Sequence, residues 1–274
     1  MPITPRALYS GSTLCEFRAP PDSQRMLTLS LKKLDSAKVR GIYTIGGTPN
    51  RMPDRALFLH PDAAEAFEHI APWIVVSDVF RTPESSLNAV REGRGAQPPG
   101  YSAHNYGLAI DPALEDGKHG KGSLSRLGDF NGWGRPATKA EMDAEMESHG
   151  WFCHRRDHTL GFEAWHFNYL GVGAKPAGSI TSDEIEARII EIYGAQLAPD
   201  IRECQRLLAK IGLYGGEDDG IAGPLTRTSA RAFERTWGLD VDGVLDPRTR
   251  RTLAYVACER SVVAPTGPLP LAIS

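Results

Sequence analysis

Cysteine is scarce: Cys15, Cys153, Cys204 and Cys258 are the four in 274 residues, and no two form a CxxC pair. Their spacing does not indicate a dedicated thiolate zinc site. No apolar run approaches the roughly 18 residues of a membrane span. The opening MPITPRALYSGSTLCEF also lacks the apolar core of a secretory signal. The chain is therefore expected to be made in the cytoplasm, without a signal peptide, and to need another route to any work outside it. Free, buried thiols are expected rather than disulfides, although a Cys204–Cys258 bridge stays open for maturation in an oxidising compartment. Positive charge is not in excess either: 31 Lys and Arg against 34 Asp and Glu leave a net charge of −3. Nucleic acid and membrane are thus not expected partners.

Apolar residues make up 41% and charged residues 24%, the composition of an ordinary soluble globular protein with room for one large domain or two smaller ones. Residues 1–60 are irregular and rich in Pro and Gly. PDAAEAFEHIA (61–71) predicts a helix with Pro61 and Asp62 in its first turn. WIVVSDVF (73–80) predicts a buried strand from which RTPESS turns away, and GLAID (107–111) predicts a second. Residues 115–136 read as a Gly-rich surface loop. Thr138 and Glu141 form a capping box for TKAEMDAEMESHG, closed by Gly150, and residues 151–170 carry the last strand region. Strands and helices without a βαβ rhythm predict an α+β domain with an antiparallel sheet and flanking helices.

GVGAKPAGS (171–179) reads as a linker. Thr181 and Glu184 cap a connecting helix that ends at Gly194. Beyond it DGIAGPLTR (219–227) and DGVLDPRTR (242–250) repeat at an offset of 23 residues. Each copy has Asp-Gly for a tight turn and a Pro at the first position of a helix. Ile201, Cys204, Leu208 and Ile211 form the buried stripe of another helix, and ERSVVAPTGPLPLAIS reads as an untied tail.

The chemistry concentrates in SAHNYGLAID (102–111). A catalytic zinc takes three protein ligands and keeps one position for water. His104 and Asp111 would face opposite ways on one continuous strand. Gly107 resolves this if His104 sits in a turn and Asp111 points from the strand beyond it. In GLAID, Ala109 and Asp111 then share a face, while Leu108 and Ile110 point to the core. FEAWHF (162–167) offers His166 as third ligand and Glu163 as general base. Taken singly, each of these residues fits a plain turn or core role as well. A rival pair, His154 and His158 at i, i+4 in CHRRDH, lacks the Glu of a helical HExxH site and carries two arginines that would repel a cation.

SAHNYGLAID followed by EAWH resembles the zinc peptidases that comprise D-alanyl-D-alanine carboxypeptidases and phage L-alanyl-D-glutamate endopeptidases, with motifs SxHxxGxAxD and ExWH. Ser102, His104, Gly107, Ala109 and Asp111 fill all five fixed positions. At background frequencies of about 5–8% per residue, that is a chance event on the order of one in a thousand or rarer. The resemblance spans about residues 55–170. It implies one Zn2+ held by His104, Asp111 and His166, and Glu163 as catalytic base. It also implies a functional Arg after an earlier strand, matched by Arg81 in VSDVFRTP, where Asp78 and Val79 depart from the usual Gly-Tyr. Such an Arg grips a substrate carboxylate or the developing oxyanion. Ser102 is a candidate for binding substrate, or only shapes the turn.

The C-terminal repeat resembles the small three-helix peptidoglycan-binding domain, through Gln205, Leu208, Gly212, Asp219-Gly220, Gly223-Pro224, Thr226, Phe233, Asp242-Gly243 and Thr249. The resemblances together imply a peptidase domain of the hedgehog/DD-peptidase type at 1–170, a linker and connecting helix at 171–198, a binding domain at 199–258 and a tail at 259–274. They imply a monomeric hydrolase of the bacterial cell wall or periplasm, either a lysis enzyme or an injected antibacterial effector. A non-catalytic wall-binding protein is the rival of a different class. Because Glu163 and Arg81 are both present, a degenerate copy is the weaker expectation.

Overall fold

The computed structural model describes residues 26–35, 40–41, 43–45, 48–50, 57–71, 75–93, 97–113, 139–153, 166–176, 180 and 182–263. Among them the elements run β1 Thr28–Lys33, β2 Arg40–Gly41, β3 Tyr43–Ile45, β4 Thr48–Asn50, β5 Phe58–Leu59, α1 Pro61–Ile70, β6 Val75–Asp78, α2 Pro83–Arg91, β7 Ala109–Ala113 and α3 Lys139–Ser148. There follow β8 Trp151–Cys153, β9 Phe167–Tyr169, α4 Ser182–Tyr193, α5 Ile201–Lys210, α6 Pro224–Trp237, α7 Pro247–Val256 and β10 Glu259–Val263. The fold is α+β, as expected. Outside the described residues lie the Gly-rich loop at 115–136, Thr138, His154, His158, Glu163, Trp165, Thr181, Cys15 and residues 264–274. The chain divides into two compact units, one built from Arg81–Tyr106 and Ile180–Glu259 with residues up to Leu29, the other from Ser30–Phe80, Gly107–Ser179 and Arg260 onward.

In the second unit the principal sheet has the order β2-β6-β7-β9-β8. Its pairs are antiparallel except at one edge, where β2 runs parallel to β6. Both faces of β7 are covered: Leu108, Ala109 and Ile110 are buried, and so is Asp111. Aromatic residues dominate β8 and β9, with Trp151 opposite Tyr169 and Cys153 opposite Phe167, a composition suited to a buried pleated surface. Helix α1 buries Ala63, Ala66, Phe67 and Ile70 at helical spacing. Strand β1, in a stretch that reads as irregular, buries Leu29 and Leu31 and exposes Thr28 and Lys33. That is the period-2 pattern of a half-covered strand. Its partner β5 runs antiparallel, Lys32 opposite Leu59.

In the first unit the RTPESS turn continues into α2. Pro83 occupies the first turn and Thr82 Oγ1 accepts from Ser85 N at 3.3 Å, so the turn residues are a helix start. Helices α5, α6 and α7 carry the repeat, and each Asp-Gly turn is tied to the preceding helix by a side-chain oxygen. Gln205 Oε1 accepts from Gly220 N at 2.8 Å, and Glu234 Oε2 accepts from Gly243 N at 2.8 Å. Of the predicted stripe on α5, Cys204 and Leu208 are buried, joined by Leu207, while Ile201 and Ile211 at its ends are half-buried. Cys204 and Cys258 are free thiols, and burial pushes the Cys204 thiol up to about 12, which leaves it unionised and inert at neutral pH. Where an untied tail is predicted from residue 259, Glu259–Val263 instead form β10, next to β1 in a sheet of order β10-β1-β5. Among the described residues no helix is long and apolar enough to cross a membrane.

Candidate metal centre

The motif SAHNYGLAID folds as a 3-10 turn, Ala103–Tyr106, followed at once by β7. Gly107 joins the two with φ +67°, in the left-handed region. His104 therefore leaves the chain from the turn and Asp111 from the strand, which removes the conflict of opposite strand faces. β7 is held from both sides: Ala109 pairs with Asn168, and Asp111 pairs with Asp78 past a bulge in β6 between Val76 and Asp78. Tyr169 N also donates to Leu108 O at 2.8 Å. These bonds fix the position of Asp111 and bring His166, the residue before β9, beside it.

The ligand-capable atoms of His104, Asp111 and His166 all lie within 4.8 Å of one another. His104 is fully buried and Asp111 nearly so. His166 Nδ1 is 2.8 Å from Asp111 Oδ1, and its Nε2 is 3.0 Å from Asn168 Oδ1. Two imidazoles and one carboxylate match the donor set of a catalytic zinc with one position left open. His166 Nδ1 and the Asp111 carboxylate, which face each other, are the donors that would hold a cation. The Nε2 hydrogen would stay on Asn168 and fix the ring's tautomer and tilt. This group can hold a metal ion.

Asn168 stands two positions after His166, on the same side of an extended segment, a spacing that sequence reasoning could have used and did not. Its Nδ2 is buried without a hydrogen-bond partner, so the amide is held through its oxygen. Replacing Asn168 with Ala is expected to weaken metal binding about 10–100-fold, measured by competition with a chromophoric chelator. Unchanged affinity would mean that Asn168 does not orient His166.

Asn105 depends for its role on distant partners, Arg81 and Ser86. It is fully buried and its amide is fully used. Oδ1 accepts from Gly100 N at 2.9 Å and Ser102 N at 3.2 Å; Nδ2 donates to Arg81 O at 3.0 Å and Ser86 Oγ at 2.8 Å. Arg81 N donates to His104 O at 3.2 Å, so the backbone of the candidate substrate-binding Arg is pinned beside His104. Ser102 Oγ accepts from His104 N at 3.3 Å, which makes Ser102 a shaper of the turn. Glu163 lies outside the described residues.

The peptidoglycan binding domain family matches residues 198–253, which covers α5, α6 and most of α7. This match supports a peptidoglycan-binding domain in the chain, peptidoglycan as its partner and association with the cell wall. No curated protein matches the chain.

Proposed function

We propose that the protein is a zinc-dependent peptidoglycan hydrolase that cleaves an amide bond of the stem peptide, between L-Ala and D-Glu or between the terminal D-Ala residues. The observation that carries this function is the convergence of His104, Asp111 and His166 within 4.8 Å in a chain whose residues 198–253 match a peptidoglycan-binding family. Zinc, when bound, supplies a Lewis acid that brings the pKa of water to about 7. Glu163 accepts the proton of the attacking water and delivers it to the leaving amine, so its carboxyl works as base and then as acid. The Arg81 guanidinium binds a substrate carboxylate or faces the oxyanion as the tetrahedral centre forms. Ser102, an acceptor toward His104 N, keeps its own hydroxyl hydrogen to donate to a ligand.

Holding the chain on an insoluble wall raises the effective concentration of substrate at the site, which lets a modest catalyst work. Lysis from within and injection into a competitor use the same chemistry. The deciding experiment digests purified peptidoglycan with the zinc-loaded protein and with a chelator-treated control, and identifies products by mass spectrometry. Free L-Ala carboxylate ends on the glycan establish an endopeptidase; loss of a terminal D-Ala establishes a carboxypeptidase. No zinc-dependent product from several wall types would overturn the hydrolase and leave a wall-binding protein.

A further inference from the structure

We propose that Arg251 and Tyr255, both on α7, are positioning residues for the 98–106 loop and for Arg81, so that the peptidoglycan-binding domain helps to hold the turn that carries His104. The chemical consequence rests on the metallopeptidase function proposed above; the structural claim does not. Arg251 falls within the matched family segment. Tyr255 follows it one helical turn later.

Arg251 is buried, which is unusual for an arginine on a small helical domain that should need nothing beyond itself. Its partners explain the burial, because they come from far along the chain. Nε donates to Gly100 O at 2.6 Å across 151 positions, and Nη1 pairs with Glu186 on α4. The guanidinium also lies over the Tyr101 ring, 4.5 Å from its centroid. Gly100 O accepts a second hydrogen bond from Tyr106 Oη at 2.8 Å, and the Tyr106 ring is in turn flanked by Tyr193 and Tyr255. One carbonyl thus receives both a charged and a neutral donor, which fixes the loop just ahead of Ser102 and His104.

Tyr255 acts at the other end of the same structure. Its Oη donates to Arg81 O at 2.5 Å, the carbonyl that Asn105 Nδ2 also reaches. The loop can seat this closely because residue 100 is Gly: a Cβ there would stand 3.1 Å from Tyr255 Cβ and 3.3 Å from Arg251 O, at a φ of +89°. Helix α2 is tied to the domain as well, with Arg91 Nη2 donating to Thr236 O at 3.2 Å. Asn105, Arg251 and Tyr255 therefore form one hydrogen-bonded frame around Arg81 and His104.

The test compares the full-length protein with Tyr255→Phe and Arg251→Lys. The first removes one hydroxyl; the second keeps the charge but loses the planar fork. Three readouts are taken: amide hydrogen exchange of the peptide containing His104 and Asn105, the visible spectrum of the cobalt-substituted protein, and kcat and KM on a soluble stem peptide. Retention on insoluble peptidoglycan is the control for an intact binding face. Both variants are expected to bind the wall like the parent, to exchange at His104 and Asn105 about 5–10-fold faster, to shift the cobalt spectrum, and to lose kcat/KM by a similar factor. Parental exchange rates and parental cobalt spectra in both variants would overturn the proposal. If the parent protein hydrolyses nothing, exchange alone still decides whether α7 holds the loop, and the failure belongs to the hydrolase function instead.

Discussion

Glu163→Gln is expected to retain zinc at the parental stoichiometry and to lose peptidoglycan hydrolysis by roughly 10²–10⁴-fold, the range carried by a positioned acid–base group. Glutamine preserves the volume and one carbonyl oxygen of glutamate. It cannot accept a proton near neutral pH, so the attacking water is not deprotonated and the leaving amine receives no proton. His166→Ala supplies the contrast, since removing a ligand should cost metal and activity together. Zinc is counted by atomic emission on the purified variants, and rates are taken from the products released from peptidoglycan. Full activity in Glu163→Gln would remove Glu163 from the mechanism. Parallel loss of zinc in Glu163→Gln would instead make it a ligand, and full zinc occupancy in His166→Ala would take His166 out of the set.

How much of this site was legible beforehand follows from how far apart its partners lie in the chain. His104, Gly107 and Asp111 sit within one short segment, so the need for a turn before a strand could be reasoned from side-chain alternation alone. FEAWHF offers His166 by its residue types, and the resemblance to a known motif pairs it with SAHNYGLAID, since nothing local ties the two segments; Glu163 lies outside the described residues. Asn105 is an ordinary polar residue until Arg81 and Ser86, 24 and 19 positions away, are brought against it, whereas Asn168, two positions from His166, was within reach of strand alternation. The Arg251–Gly100 bond spans 151 positions and left no local trace. Helix α2 failed for a different reason. Its start signal, Thr82-Pro83, doubles as turn chemistry, and Ser85 and Ser86 weaken the apolar period. Strand β1 was hidden by the Pro- and Gly-rich composition around it, although Leu29 and Leu31 carry a readable alternation.

Gly107→Ala is expected to destabilise the unit that carries the sheet by about 2–5 kcal/mol, the sum of a left-handed backbone and an overpacked contact. A Cβ at position 107 would meet His60 N at 2.5 Å, Leu59 C at 2.8 Å and Leu59 Cα at 2.9 Å. All three are backbone atoms, at the end of β5 and the entry to α1, so no change of rotamer relieves the clash. Either β7 moves away and strains the 2.9 Å bond from His60 N to Gly107 O, or the 3-10 turn refolds. Both responses alter the separation of His104 and Asp111, and zinc affinity should fall with stability. Gly173 provides the control: its φ is +82°, yet a Cβ there meets nothing within 4 Å. Gly173→Ala should therefore cost only the conformational part, about 1–2 kcal/mol, with zinc affinity unchanged. Chemical denaturation midpoints and chelator competition on the two variants separate the causes. Equal losses would mean that Gly107 is required for its dihedral angle alone. A larger loss at Gly107, accompanied by weaker zinc binding, would mean that the close approach of the Leu59–His60 backbone is what sets the distance between His104 and Asp111.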